Sequence, residues 1–218
     1  MADIKTVLIV SGGKACTEAI SLLLSKESFS MIIAADRGLE TVDQLKLIPD
    51  YILGDFDSVS RKLLDKYKAM ELPIISYPAQ KDMTDTQIAI ELAMSHKPDR
   101  IIICGATGSR ADHMLANIHL LLHPLRAGID ACIIDNNNKI YLRNKSFSIK
   151  KSEQYGKYVS LLPFTDGVSG ISLTGFKYPL NNAELANGSS LGVSNEIEEA
   201  CGMVSFREGI LLVVESRD

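Results

Sequence analysis

The sequence predicts an α/β fold in its N-terminal part and an all-β sandwich in its C-terminal part. Up to about Asn138, short apolar runs alternate with segments of helical period. Beyond it the helical period fades, and short strand-like runs alternate with turn clusters. The first pattern is typical of a mostly parallel sheet with helices on both faces, and the second of a small antiparallel sandwich. We therefore expect two domains, residues 1–138 and 139–218.

The predicted strands are short apolar runs that are partly β-branched, as in strands buried on both faces of a sheet. In the first domain they are Thr6–Val10, Met31–Ala35, Tyr51–Leu53, Pro73–Ser76, Ile101–Cys104 and Ala131–Ile134. In the second domain, turn clusters separate Lys139–Leu142, Ser146–Ile149, Tyr158–Leu162, Gly170–Leu173, Gly202–Phe206 and Ile210–Val214.

The helices of the first domain are predicted from apolar spacing and from capping residues. A stripe of apolar residues from Met114 to Leu125 predicts one helix that begins near Asp112. Thr84 and Gln87 have the spacing of a capping box, so we expect a helix that opens at Asp85.

Composition limits the classes of function. The chain has 218 residues, 46% of them hydrophobic, and no apolar stretch of membrane-spanning length. Its net charge of −4 argues against a general nucleic-acid surface and favours a small substrate. The N-terminus lacks the pattern of a secretory signal, so we expect a cytoplasmic protein. Four widely spaced cysteines indicate reduced, buried thiols.

Two acidic clusters follow successive predicted strands. They are Gly54-Asp55-Phe56-Asp57-Ser58 and Lys81-Asp82-Met83-Thr84-Asp85. If the extended conformation continues past the third strand, the first two aspartates point to the same side and can share a cation. Carboxylates at strand ends beside a lysine indicate Mg²⁺ held against a polyphosphate, and hence phosphoryl-type transfer. The alternative is that Asp57-Ser58 and Asp82 only cap the helices that follow.

The segment from Gly105 to Arg110 is predicted to bind phosphate. Its glycines permit close approach of the backbone, Arg110 offers a bidentate fork, and a helix N-terminus follows. Neither a Walker A sequence nor a Gly-x-Gly-x-x-Gly pattern occurs. The first acidic cluster lacks the spacing of a calcium-binding EF-hand loop. A zinc site at His119 and His123 is less favoured than a helix-surface pair, because no third ligand is evident.

An ordered set of motifs resembles the thiamine pyrophosphokinase family along the whole chain. The set comprises Asp36-Arg37-Gly38, the first acidic cluster, Gln80 to Asp85, Gly105 to His113, and Ser194-Asn195. The resemblance implies Mg²⁺-dependent transfer of the diphosphate group from ATP to the hydroxyl of thiamine, with release of AMP. It also implies a homodimer with active sites between subunits, an α/β domain that binds nucleotide and Mg²⁺, and a β-sandwich domain that binds thiamine.

The resemblance and the strand-end rule together give the expected site residues. We expect Asp55, Asp57, Asp85 and Lys81 to be catalytic, with Asp55, Asp57 and Asp85 as metal ligands. The expected nucleotide-binding residues are Gly12, Asp36, Gly54, Thr107, Gly108, Arg110 and His113. Those expected to bind thiamine are Gln80, Asp82, Ser194 and Asn195. Asp57 or a neighbour would accept the proton of the hydroxyl, while Lys81 and Arg110 would offset phosphate charge.

One departure from the family concerns the surface that stacks on the aminopyrimidine ring. The family often uses a tryptophan, and this chain has none, so a tyrosine, a phenylalanine or an aliphatic slot must replace it. Two other functions stay open at this point. One is a diphosphokinase for another heterocyclic alcohol, such as a pterin. The other is a non-catalytic sensor of nucleotide or thiamine.

Overall fold

The computed structural model describes residues 4–78 and 82–218. The chain divides into two compact units, Met1–Asn136 and Asn137–Asp218. Among the described residues, no helix is long and apolar enough to cross a membrane.

The first unit contains a parallel sheet of six strands in the order β6-β5-β1-β2-β3-β4. Its strands are β1 (Thr6–Val10), β2 (Met31–Ala35), β3 (Tyr51–Gly54), β4 (Ile74–Ser76), β5 (Arg100–Cys104) and β6 (Asp130–Ile134). Every residue of β1 is buried, as a strand covered on both faces requires. The six predicted strands are confirmed, with bounds that differ by at most one residue.

Six helices connect or follow these strands. They are α1 (Thr17–Lys26), α2 (Gly38–Gln44), α3 (Arg61–Lys68), α4 (Asp85–Ser95), α5 (Ala111–Leu120) and α6 (Leu122–Arg126). The chain moves outward from β1 through β2, β3 and β4, then crosses to β5 and β6 on the other side of β1. Because such crossovers are right-handed, α1 to α3 cover one face and α4 to α6 the other. The strand order reverses between β1 and β5, and this is where open α/β sheets bind ligands.

Two helix starts differ in detail from the sequence-based expectation. Thr84 caps α4 as predicted, and its hydroxyl accepts from the Gln87 amide at 3.2 Å. The reciprocal half of the capping box is replaced, because the Gln87 side chain donates to Glu91 instead. The cap of α3 is Ser60, whose hydroxyl accepts from Leu63, so neither Asp57 nor Ser58 is the cap.

The single helix predicted from Met114 to Leu125 is wrong, because the structure has α5 and α6 with a break at Leu121. Pro124 explains the break, since it has no N–H to donate to the carbonyl of Leu120. Leu115, which belongs to the predicted apolar stripe, is 54% exposed.

The second unit contains two antiparallel sheets of four strands, which confirms the predicted β domain. One sheet has β7 (Asn138–Arg143), β9 (Tyr158–Pro163), β12 (Asn195–Glu196) and β14 (Leu211–Ser216). The other has β8 (Phe147–Lys150), β10 (Gly167–Thr174), β11 (Leu180–Ala186) and β13 (Cys201–Ser205). Residues of β14 alternate between buried and half-buried, as the period of a strand with one core face requires. The sequence did not predict β11 or β12, because polar residues interrupt the apolar ones in β11 and β12 consists of two polar residues.

Candidate active site

A cavity of about 890 Å³ lies in the first unit, at the carboxyl ends of β1, β2, β3 and β5. Its volume is that of a typical small-molecule site. The lining residues are Ser11 to Ala15, Ala35, Asp36, Arg37, Asp55, Asp82 to Thr86, Gly105 to Arg110, His113, Met114 and Asn117. The cavity therefore occupies the switch point of the sheet, where the strand-end rule predicted a ligand.

Two loops of the cavity wall are joined by backbone hydrogen bonds. The amide of Gly13 donates to the carbonyl of Gly105 at 2.8 Å, and the amide of Lys14 to that of Thr107 at 2.7 Å. Gly105 has a φ of +69°, and a Cβ there would lie 2.2 Å from the carbonyl oxygen of Ser11. Only glycine meets both conditions, so the loop that follows β5 depends on this residue.

Hydrogen bonds of polar side chains hold these loops in place. The Asn117 amide donates to the carbonyl of Ala106 at 2.8 Å, and the Thr107 hydroxyl donates to Asp135 at 2.9 Å. The hydroxyls of Ser11 and Thr86 share a hydrogen bond of 3.1 Å. Sequence reasoning missed these contacts, since each joins residues far apart in the chain and no local spacing signals them.

Four carboxylate side chains line the cavity: those of Asp36, Asp55, Asp82 and Asp85. They come from the ends of β2 and β3 and from the start of α4. Asp36 has a φ of +49°, uncommon for a residue with a side chain, and its carboxylate accepts from the Ser58 hydroxyl at 2.8 Å. Three of the four were expected from the strand-end clusters, and Asp36 from the family motif.

The backbone between Asp55 and Asp57 is not extended, although the sequence-based expectation required it to be. The extended conformation ends at Gly54, and Phe56 has a φ of +61°, so the chain turns between the two aspartates. The amide of Asp57 donates to the Asp55 carboxylate at 3.1 Å, and Asp57 is not among the residues that line the cavity. The expectation that both carboxylates point to the same side depended on a strand that continues past Leu53 to Asp57, and the strand ends at Gly54.

No group of three histidine, cysteine or acidic side chains is placed to hold a metal ion, among residues 4–78 and 82–218. The expected trio of Asp55, Asp57 and Asp85 is therefore not a preformed cluster. The donor chemistry still suits Mg²⁺, which takes oxygen ligands and commonly uses only one or two carboxylates beside phosphate oxygens and water. Asp55 and Asp85 both line the cavity and offer such oxygens.

Of the described residues, three with cationic side chains line the cavity: Lys14, Arg37 and Arg110. Arg110 forms a bidentate pair with Asp112, with Nε to Oδ1 at 3.2 Å and Nη2 to Oδ2 at 2.6 Å. The hydrogen bond from Arg110 lowers the pKa of Asp112 to about 2, so this carboxylate is charged at any working pH. The sequence pattern singled out Arg110, but it gave no sign of this pair.

The other expected residues are distributed as follows. Gly12, Thr107, Gly108 and His113 line the cavity, whereas Gly54 ends β3 and is not among the lining residues. Ser194 and Asn195 belong to the second unit. Gln80 and Lys81 lie outside the described residues. Met83, Thr84 and Met114 line the cavity without having been predicted as site residues.

Asn195 is buried in the second unit and holds the backbone of Tyr178. Its Oδ1 accepts from the Tyr178 amide at 3.1 Å, and its Nδ2 donates to the Tyr178 carbonyl at 2.7 Å. Ser194 has a φ of +58° and donates its amide to the Ser160 hydroxyl. Tyr178 itself is 58% exposed, which is high for a large aromatic side chain. The buried amide thus presents an aromatic ring at the surface of this unit.

Comparison with known proteins identifies the family. A model of the thiamin pyrophosphokinase catalytic domain matches residues 22–133, and one of the thiamin pyrophosphokinase vitamin B1 binding domain matches residues 146–211. Thiamine pyrophosphokinase of Bacillus subtilis is 36% identical over 98% of this chain and 100% of that protein.

Crystal structures give the same result. That of thiamine pyrophosphokinase from Bacillus subtilis matches with a TM-score of 0.88 at 36% identity, over 98% of this chain and 100% of the other. That of the Geobacillus thermodenitrificans protein matches with a TM-score of 0.84 at 32% identity, over 98% of each chain. With full-length similarity in sequence and in fold, the chain belongs to the thiamine pyrophosphokinase family.

Proposed function

We propose that this chain transfers the diphosphate group of ATP to the hydroxyl of thiamine, giving thiamine diphosphate and AMP. The observation that carries the proposal is the acidic and cationic cavity at the switch point, in a chain with full-length similarity to the family. The alternatives of a pterin diphosphokinase or a sensor are not favoured, since the curated relatives are named as thiamine pyrophosphokinases.

In the proposed reaction the thiamine oxygen bonds to the β-phosphorus, and the bond from that phosphorus to the α,β-bridging oxygen breaks. AMP leaves with the bridging oxygen. The polyphosphate occupies the cavity, where Lys14, Arg37 and Arg110 offset its charge. One such contact contributes about 2–4 kcal/mol to transition-state stabilisation. We assign the same role to Lys81, and the role of proton acceptor to Asp57 or its neighbour Asp55.

We assign Mg²⁺ to the carboxylates of Asp55 and Asp85, with Asp57 as a further ligand. When bound, the ion would neutralise charge that develops on the phosphate oxygens. Asp36, Gly12, Gly54, Thr107, Gly108 and His113 are assigned to nucleotide binding. The carboxylates would hold a divalent cation, and the loop that follows β5 would orient the phosphates against the N-terminus of α5.

We assign thiamine binding to the predicted C-terminal domain, residues 139–218, together with Gln80 and Asp82. Tyr178 is the aromatic surface proposed to replace the missing tryptophan against the pyrimidine ring, because Asn195 fixes its backbone and leaves its ring exposed. Aromatic rings favour offset stacking on flat heterocycles. Ser194 precedes Asn195 in the chain and is assigned to the same thiamine-binding site.

We also propose a homodimer whose active sites lie between subunits, and a cytoplasmic setting. The four cysteines, all among the described residues, form no disulfide, as in proteins of reducing compartments. Light scattering should give about twice the mass of 23.8 kDa. A fully active species of monomer mass would contradict the dimer.

The activity is tested by incubating the purified chain with ATP, thiamine and Mg²⁺, and separating the products by chromatography. We expect AMP and thiamine diphosphate in equal amounts, loss of both with EDTA, and recovery when Mg²⁺ is returned in excess. ADP with thiamine monophosphate, or ATP turnover that does not depend on thiamine, would contradict the proposal.

A further inference from the structure

Arg110 and Asp112 form an ion pair of which one member, Arg110, lines the cavity. Arg110 is the N-cap residue of α5 and lines the cavity, whereas Asp112 lies in the first turn of the same helix and is not among the described lining residues. The pair joins Nε to Oδ1 and Nη2 to Oδ2, so Asp112 contacts the lateral edge of the guanidinium. The carboxylate therefore holds the arginine from outside the cavity.

This geometry leaves the other edge of the guanidinium for a ligand. Arginine has five N–H donors, and the two contacts with Asp112 use one on Nε and one on Nη2. Both hydrogens of Nη1 and the second of Nη2 remain. One hydrogen of Nη1 and the second hydrogen of Nη2 are parallel and form the terminal fork, which matches two oxygens of a phosphate.

The ion pair orients the side chain of Arg110 and contributes little to the stability of the fold. The two side chains are 69% and 63% exposed, and an ion pair this exposed adds little to the free energy of folding. What it restricts is the conformational freedom of Arg110. The other lining arginine is held less firmly, since Arg37 contacts Glu40 through one pair of atoms at 3.6 Å.

Asp112 belongs to the first turn of α5, so the helix fixes the backbone from which its carboxylate projects. The arginine fork is thus tied through Asp112 to α5. A side chain ordered before the ligand arrives loses less entropy on binding, and this raises affinity and rate without any new contact to the ligand.

We propose that Asp112 is a positioning residue, which holds the terminal fork of Arg110 toward the polyphosphate of the nucleotide. The inference rests on the proposed function for the occupant of the cavity. It assigns Asp112 no contact with the nucleotide: the residue acts only through Arg110.

The test is a double-mutant cycle on Asp112→Asn and Arg110→Ala. Asp112→Asn should lower kcat/KM for ATP about three- to tenfold, the range expected when one long side chain must be ordered during binding. In the Arg110→Ala background the same substitution should change kcat/KM less than twofold, because the group through which it acts is gone. Asp112→Glu, which keeps the charge and the fork, should restore more than half of the lost kcat/KM.

A control variant separates this role from a general effect of surface charge. Glu153→Gln removes the carboxylate of another exposed ion pair, that of Lys150 and Glu153 at 2.8 Å, in the second unit. It should leave kcat/KM for ATP unchanged. The melting temperatures of all variants report any structural cost. An undiminished effect of Asp112→Asn in the Arg110→Ala background, or wild-type kcat/KM for Asp112→Asn, would overturn the proposal.

Binding of a non-hydrolysable ATP analogue, measured by calorimetry on the same variants, keeps the two proposals distinguishable. Should the wild-type chain fail to form thiamine diphosphate yet bind the analogue, the proposed function fails. The role of Asp112 is then still supported if Asp112→Asn weakens binding of the analogue in the wild-type background but not in the Arg110→Ala background. Absence of analogue binding by the wild-type chain would overturn both proposals.

Discussion

Asp55 and Asp85 reach the same cavity from different crossovers of the sheet. Asp55 follows β3, whereas Asp85 is the first residue of α4, after the fourth strand. Carboxylates that line one cavity repel one another, and a divalent ion bound beside a polyphosphate would reduce that repulsion. We therefore expect both aspartates to bind the metal ion that accompanies the nucleotide.

Removing either carboxylate should abolish turnover and leave the fold intact. For Asp55→Ala and Asp85→Ala we expect kcat to fall by at least about 100-fold. Each variant lacks a ligand of the divalent ion that is proposed to offset the charge on the phosphates. Steady-state kinetics measures the loss, and circular dichroism the fold. Asp65→Ala is the matched control, since Asp65 is an exposed aspartate of α3 that does not line the cavity. Wild-type turnover in either test variant would overturn the metal assignment.

Two glycines share a left-handed backbone but differ in their surroundings. Gly105 has a φ of +69° and a Cβ there would meet the Ser11 carbonyl oxygen at 2.2 Å, whereas Gly128 has a φ of +75° and nothing within 4 Å. Gly128→Ala should therefore cost only the backbone strain, about 1 kcal/mol. Gly105→Ala should lower the free energy of unfolding by at least about 2 kcal/mol more and impair activity.

Chemical denaturation of these two variants measures the difference. Both carry the same strain, so the excess loss in Gly105→Ala reports the contact between the loops that follow β1 and β5. Equal losses in the two variants would show that these loops separate without cost.

At the scale of single elements, the sequence predicted secondary structure well wherever the signal was local. The strands of the first unit follow from buried apolar runs, and the cap of α4 follows from a hydroxyl three residues before the backbone amide that donates to it. The turn at Phe56 and the pair of Arg110 with Asp112 were not predictable. The first depends on a left-handed residue with a side chain, and the second on a rotamer.

Two helix caps test whether the start of α4 serves catalysis. Thr84 and Ser60 each accept from the amide three residues on, at 3.2 Å and 3.3 Å, but only Thr84 lines the cavity. Thr84→Ala and Ser60→Ala should each lower the free energy of unfolding by about 1 kcal/mol. Only Thr84→Ala should lower kcat/KM, because it loosens the turn that carries Asp85. A similar loss of kcat/KM in Ser60→Ala would contradict this.

Tyr67 anchors α3 and makes stability depend on pH in the alkaline range. Its hydroxyl donates to Asp43 at 3.2 Å, and burial, followed by the charge of Asp43, raises its pKa to about 12. In the unfolded chain it ionises near pH 10, so its contribution is complete below pH 10 and is lost as pH rises toward 12. The loss is of the order of 2 kcal/mol.

Tyr67→Phe should therefore flatten the fall in unfolding free energy between pH 10 and pH 12. Denaturation with urea at a series of pH values measures the slope. A variant with the same alkaline slope as the wild-type chain would contradict the assignment.

At the scale of the whole molecule, the chain combines a unit of parallel strands and helices with a unit of antiparallel strands, and the sequence predicted both. The alternation of strands and helices indicated the parallel sheet, and the loss of helical period after Asn138 indicated the β unit. The strand-end rule also found the cavity, since nine of the expected residues line it. What it could not supply was the set of buried contacts, such as Asn117 to Ala106, because these depend on packing between distant segments.

The transfer of an intact diphosphate is tested most directly by following labelled phosphorus. Two reactions are run with thiamine and Mg²⁺, one with ATP labelled at the α-phosphorus and one with ATP labelled at the γ-phosphorus. We predict that the α label appears only in AMP, and that the γ label appears only in thiamine diphosphate, in equal molar amounts. Release of the γ label as inorganic phosphate, or its appearance in thiamine monophosphate, would contradict the account.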